Sequence, residues 1–133
     1  MDLMDTMCVD ATTIRSATAV ADARETARAF LEALRQPAVD SEAAGTAVLV
    51  VSELVTNALR HGGGAYTLRL AVHSDTIEVA VDDPSSQVPR MRTPDLNGGT
   101  GGFGWPMVNR LARATTVTRR PSGGKTVSAF LAR

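Results

Sequence analysis

The chain has 133 residues, 44% of them hydrophobic, and balances 14 basic against 14 acidic side chains. That size and apolar share predict one compact domain over residues 1–133 with its own core. Zero formal charge removes the long-range phosphate attraction that direct nucleic-acid binding relies on, and Cys8, the single cysteine, has no partner for an internal disulfide.

The start, Met1-Asp2-Leu3-Met4-Asp5, is acidic where a signal peptide is basic and then apolar. The longest apolar run, Ala47 to Val51, is far short of the ~20 residues that cross a bilayer. These features predict a cytoplasmic protein with no membrane and no direct nucleic-acid partner. Acids crowd into the first third of the chain and bases into the rest, a pattern that fits ordinary solvated faces or a polar docking surface for another protein.

Residues 1–17 are read as a loose N-terminal segment with a weak strand signal over Thr12–Ser16. From Ala19 to Arg35, Val20, Ala23, Ala27, Phe30, Leu31 and Leu34 recur at helical spacing until Pro37 ends the pattern. A second helix starts near Ser41, whose hydroxyl is a candidate cap, and runs through Ala44, Val48, Val51, Leu54, Val55 and Ala58 to the stop at Gly62-Gly63-Gly64. The period then changes to two: Tyr66, Leu68, Leu70 and Val72 form one strand, Ile77, Val79 and Val81 the next, with a tight turn at Ser74-Asp75.

Residues 84–104 are too rich in turn formers for a strand and longer than an ordinary connection, which marks a functional or disordered loop. Pro106 suits the first turn of a helix carrying Met107, Val108 and Leu111. Strands over Thr115–Arg119 and Lys125–Leu131, joined through Pro121-Ser122-Gly123-Gly124, complete the chain. The sum is an α/β (α+β) two-layer sandwich, a mixed or mostly antiparallel sheet with helices on one face.

Chemistry gathers in three places. Glu53 and Asn57 are four apart on the second helix and project from one side of it; a carboxylate can take a proton from a hydroxyl, and an amide oxygen can ligate Mg²⁺. Solvated polar residues on a helix edge are the plainer alternative. Asp83 continues the alternation of Ile77, Val79 and Val81 to the core side, where a buried carboxylate needs a donor such as the exocyclic amine of adenine. It could equally cap the turn at Pro84-Ser85. Asn97-Gly98-Gly99-Thr100-Gly101-Gly102-Phe103-Gly104 enters the third helix, where glycine lets backbone N–H groups approach phosphate oxygens; a linker shares that composition. His61 and His73 have no zinc-type spacing and read as element ends, and Trp105 reads as core packing.

In order, Glu53-(x3)-Asn57, Asp83, Gly102-Phe103-Gly104 and Gly124-Lys125-Thr126 resemble the N, G1, G2 and G3 boxes of the Bergerat (GHKL) ATP-binding fold. Residues 48–62 are especially similar to the anti-sigma-factor serine/threonine kinase branch, and the resemblance spans roughly residues 18–131. It implies ATP and Mg²⁺ as cofactors, Glu53 as general base, Asn57 on Mg²⁺, and nucleotide contacts at Asn57, His61, Asp83, Gly102, Phe103, Gly104 and Thr126. It implies partner switching between a sigma factor and an anti-anti-sigma (STAS-type) protein, and a homodimer. Two departures keep a second reading open, that of a catalytically weak or nucleotide-free interaction module. Asp83-Pro84-Ser85-Ser86-Gln87 lacks the glycines usual after the G1 aspartate, and Thr100 stands where some of these kinases place an arginine for the γ-phosphate.

Overall fold

A computed structural model describes residues 5–11, 19–34, 40–61, 65–85 and 104–133. In chain order the elements are β1 (Asp5–Ala11), α1 (Ala19–Ala33), α2 (Ser41–His61), β2 (Tyr66–Val72), β3 (Thr76–Asp83), α3 (Gly104–Leu111), β4 (Ala114–Arg119) and β5 (Lys125–Ala132). The strands lie in the order β1-β2-β3-β5-β4, and every neighbouring pair is antiparallel. This is the predicted two-layer α+β sandwich with its helices on one face of the sheet.

Alternation builds the sheet side of the core. Leu68 pairs with Val81 and Val81 with Val127; Leu70 pairs with Val79 and Val79 with Ala129; Val72 pairs with Ile77 and Ile77 with Leu131. All of these side chains are buried, and each Val, Leu and Ile among them contributes about 1.5–3 kcal/mol relative to exposure. Helix α1 answers with Ala19, Ala23, Ala27 and Leu31, a stripe at four-residue spacing, which is buried. Helix α2 is rich in valine, a modest helix former, and its helicity therefore rests on packing: Val48, Val50, Val51 and Val55 are all in the core. By length and composition Ser41–Arg60 could cross a membrane, but in this fold its apolar side lies against the sheet.

Two local details differ from the sequence reading. The N-terminal strand forms over Asp5–Ala11, where a loose segment is expected; Met7, Val9 and Ala11 run in register with Leu70, Leu68 and Tyr66. An edge strand takes its register from its neighbour, so its own Met- and Asp-rich pattern gives a poor signal. Thr12–Ser16 lies outside the described residues. Helix α2 is capped by Asp40, whose Oδ1 accepts from the Glu42 N–H at 3.4 Å and whose carbonyl accepts from Ala44 N–H at 2.8 Å, so Ser41 is the first helical residue and not the cap.

At the opposite end of the sheet from Asp83, His73 N–H donates to the Thr76 carbonyl across the two-residue turn Ser74-Asp75. The β4–β5 turn relies on Gly123 and Gly124, with φ of 93° and 83°, a region that side-chain-bearing residues rarely enter.

Candidate functional site

Helix geometry puts Glu53 and Asn57 one turn apart on the same side of α2, and both are half-buried beside the core stripe. The N-terminus of α3 comes up against the first of them. A Cβ built on Gly104 would stand 2.6 Å from Glu53 Oε2 and 3.6 Å from its Cδ. Only glycine therefore lets the Glu53 carboxylate rest over the start of α3, where free backbone N–H groups favour negative charge.

The other half of the site grows from two consecutive aspartates. Because strand residues alternate, Asp82 and Asp83 face opposite sides of the sheet, and each finds its own cation. On the outer side, Asp82 Oδ1 accepts from Arg69 Nη2 at 2.8 Å and from Thr126 Oγ1 at 2.5 Å. On the helical side, Asp83 Oδ1 accepts from Lys125 Nζ at 2.9 Å and from the Ser85 N–H at 2.9 Å. The Asp83 and Lys125 side chains are each only 1% exposed, a fully desolvated ion pair. Gly124 makes this approach possible: a Cβ there would lie 2.2 Å from the Asp83 carbonyl oxygen and 2.9 Å from Pro84 Cα.

Topology brings the two halves to one end of the sheet. Helix α2 ends at His61 and β2 begins at Tyr66, next to the Thr67–Asp82 pair. The Asn57 end of α2 thus lies toward the strand end that carries Asp83 and Lys125, on the side where α2 and α3 pack. Glu53, Asn57, Gly104 and Asp83 share that side, and His61 closes α2. Thr126 does not join them: it pairs with Asp82 in register and turns its hydroxyl to the opposite face, so the core-side position of its motif belongs to Lys125. Gly102, Phe103 and Thr100 lie outside the described residues.

Lys125 is the residue that sequence reasoning missed. Counting back by twos from Leu131, Ala129 and Val127 places it on the core face, the same arithmetic that places Asp83. Trp105 packs against the core as expected. A separate cleft of about 660 Å³ between α1 and α2, lined by Arg24, Arg28, Leu31, Val48 and Leu49 among others, holds none of the candidate residues.

Residues 16–130 match the histidine kinase-like ATPase domain family. The chain belongs to this family. Its fold superposes on the structure of the RsbU and RsbW domains of Rv1364c from Mycobacterium tuberculosis with a TM-score of 0.67, at 16% identity, covering 96% of this chain and 31% of that one. The present chain therefore spans about a third of that protein's length. The structure of the SiaB–SiaC complex from Pseudomonas aeruginosa matches with a TM-score of 0.66 at 14% identity, over 94% of this chain and 88% of that one. No curated protein matches the sequence significantly.

Membership of the histidine kinase-like ATPase family implies a purine nucleotide with Mg²⁺, and the residues fit its two ends unequally. Toward the phosphate end, Gly104 lets the N-terminus of α3 come up to the Glu53 carboxylate, with the Asn57 amide one turn away on α2, an acid and an amide of the kind that such a group requires. At the base end the carboxylate expected to meet a ligand amine already holds the Lys125 ammonium.

Proposed function

We propose that the chain is a Mg²⁺- and ATP-dependent protein-serine kinase and anti-sigma factor of the cytoplasm, sequestering a sigma factor and phosphorylating an anti-anti-sigma (STAS-type) antagonist. The observation that carries the reading is the Glu53 carboxylate at the N-terminus of α3, held there by the absent side chain of Gly104 with Asn57 one turn away. Glu53 takes the proton from the substrate serine hydroxyl as its oxygen forms the new P–O bond and ADP leaves. Asn57 offers its amide oxygen to Mg²⁺, and the first N–H groups of α3, with Gly102 and Phe103 before them, meet phosphate oxygens. When bound, Mg²⁺·ATP supplies the phosphoryl group and neutralises its developing charge. His61 and Asp83 line the rest of the nucleotide site, and the working unit is a homodimer. The likeness to an RsbW domain and to the SiaB–SiaC complex supports a protein partner.

The test is incubation with labelled ATP, Mg²⁺ and purified STAS-type proteins. A serine on one of them becomes labelled, and Glu53→Gln lowers the rate by about 10²–10⁴-fold while ATP still binds. Absence of label on every partner removes the kinase reading. A second reading, a partner-binding module without chemistry, is favoured by the Asp83–Lys125 pair; no heat of binding at millimolar ATP would select it.

A further inference from the structure

We infer that Lys125 determines how this site reads a purine base: its ammonium takes the place of the ligand's amine on Asp83, leaving the 6-amino group of adenine unread. The inference rests on the ATP-binding reading above. Asp83 Oδ1 is held from two sides, by Lys125 Nζ and by the Ser85 N–H, each at 2.9 Å. Lys125 Nζ also donates to the Ser85 carbonyl at 3.4 Å, so the ammonium bridges the last residue of β3 and the turn after it.

A bare carboxylate attracts any N–H donor, but a carboxylate already neutralised by a cation does so weakly, and the ammonium repels the positive end of an approaching amine. Nor can Lys125 withdraw easily. It is only 1% exposed and sits in register with Asp83, and the backbone before it is wedged against Asp83 and Pro84 at Gly124. Removing the ammonium would leave a buried charge unpaired, a larger penalty than one neutral hydrogen bond can offset. Binding then depends on the phosphates, Mg²⁺ and the apolar face of the base, and purines differing at position 6 are accepted alike.

The experiment is calorimetric titration of the whole chain, with Mg²⁺ present, using ATP and purine riboside triphosphate, which is ATP without its 6-amino group. Wild-type protein should bind the two within about threefold of each other. Lys125→Thr and Lys125→Met, which free the carboxylate, should prefer ATP by about tenfold or more, since a hydrogen bond to an unneutralised carboxylate then distinguishes the ligands. Thermal melts report the same contrast without catalysis: ATP raises the variants' Tm above the value with the 6-deamino analogue, whereas the two ligands act equally on wild type.

A tenfold ATP preference in wild type overturns the inference even if neither variant folds. Equal affinities in both folded variants overturn it as well, and both results leave ATP binding standing. Failure of every form to bind either triphosphate overturns the inference together with the nucleotide reading.

Discussion

Replacing Gly104 with alanine adds one methyl group at the point where α3 meets the Glu53 carboxylate. The new carbon would lie 2.6 Å from Oε2, whereas ordinary contact begins at 3.4 Å, so that oxygen must retreat by about 0.8 Å. The obstructing atom is the end of a flexible side chain, so a rotamer adjustment of about 0.5–1.5 kcal/mol relieves the clash. Alanine's helical advantage over glycine, about 0.5–1 kcal/mol, works in the opposite direction. Stability in urea should therefore stay within about 1 kcal/mol of wild type. Chemistry should suffer far more, because a general base misplaced by about 1 Å loses on the order of 10²-fold in rate.

The assay pairs urea unfolding with single-turnover phosphorylation of the antagonist, and kcat should fall much further than nucleotide affinity. Undiminished turnover in a stably folded Gly104→Ala protein would refute the role given to the Glu53–α3 contact. A destabilisation beyond about 3 kcal/mol would refute the claim that Glu53 yields.

At Gly124 the neighbours are backbone and cannot yield. Gly124→Ala combines φ of 83° with a contact of 2.2 Å to the Asp83 carbonyl oxygen, and should cost about 2–5 kcal/mol by urea unfolding; a loss below about 1 kcal/mol would contradict the close approach. For the buried pair, Lys125→Met and Asp83→Leu should each cost about 3–5 kcal/mol while the double variant stays within about 1 kcal/mol of wild type. Additive losses in that cycle would mean that the two groups do not depend on each other. Burial, and after it the charge of Asp22, push the Tyr66 hydroxyl above its ordinary value of 10.0. The fold thus favours neutral tyrosine, and this share of stability is complete below pH 10.0 and is lost as pH rises through the folded-state value. Tyr66 is the chain's one tyrosine, so phenolate absorbance reads its titration directly, and a folded-state midpoint at or below 10.0 would refute the assignment.

Helical and strand periods locate every element except β1, because Ala23, Ala27 and Leu31, or Leu68 and Leu70, must be buried wherever the chain folds. β1 escapes because pairing with β2 supplies its register, a long-range property with little local signature. In the site, the spacing of Glu53 and Asn57 and the inward turn of Asp83 follow from period alone. The partner of Asp83 does not, since Asp83 and Lys125 are 42 residues apart and meet only through the β3–β5 pairing. Thr126 illustrates the same gap: a motif read as a string includes it, while the alternation of β5 puts its hydroxyl on Asp82 across the sheet. The close approach of Gly104 to the Glu53 carboxylate is equally invisible until α2 and α3 are packed.

Strands β3 and β5 zip directly to one another although all of α3 and β4 lies between them in the chain. That zipper, fastened at its end by the Asp83–Lys125 clasp, turns the intervening segment into a pendant whose length matters little to the floor beneath it. Exchanges on the exposed faces of α3 and β4 can therefore alter what this segment touches while the clasp stays shut.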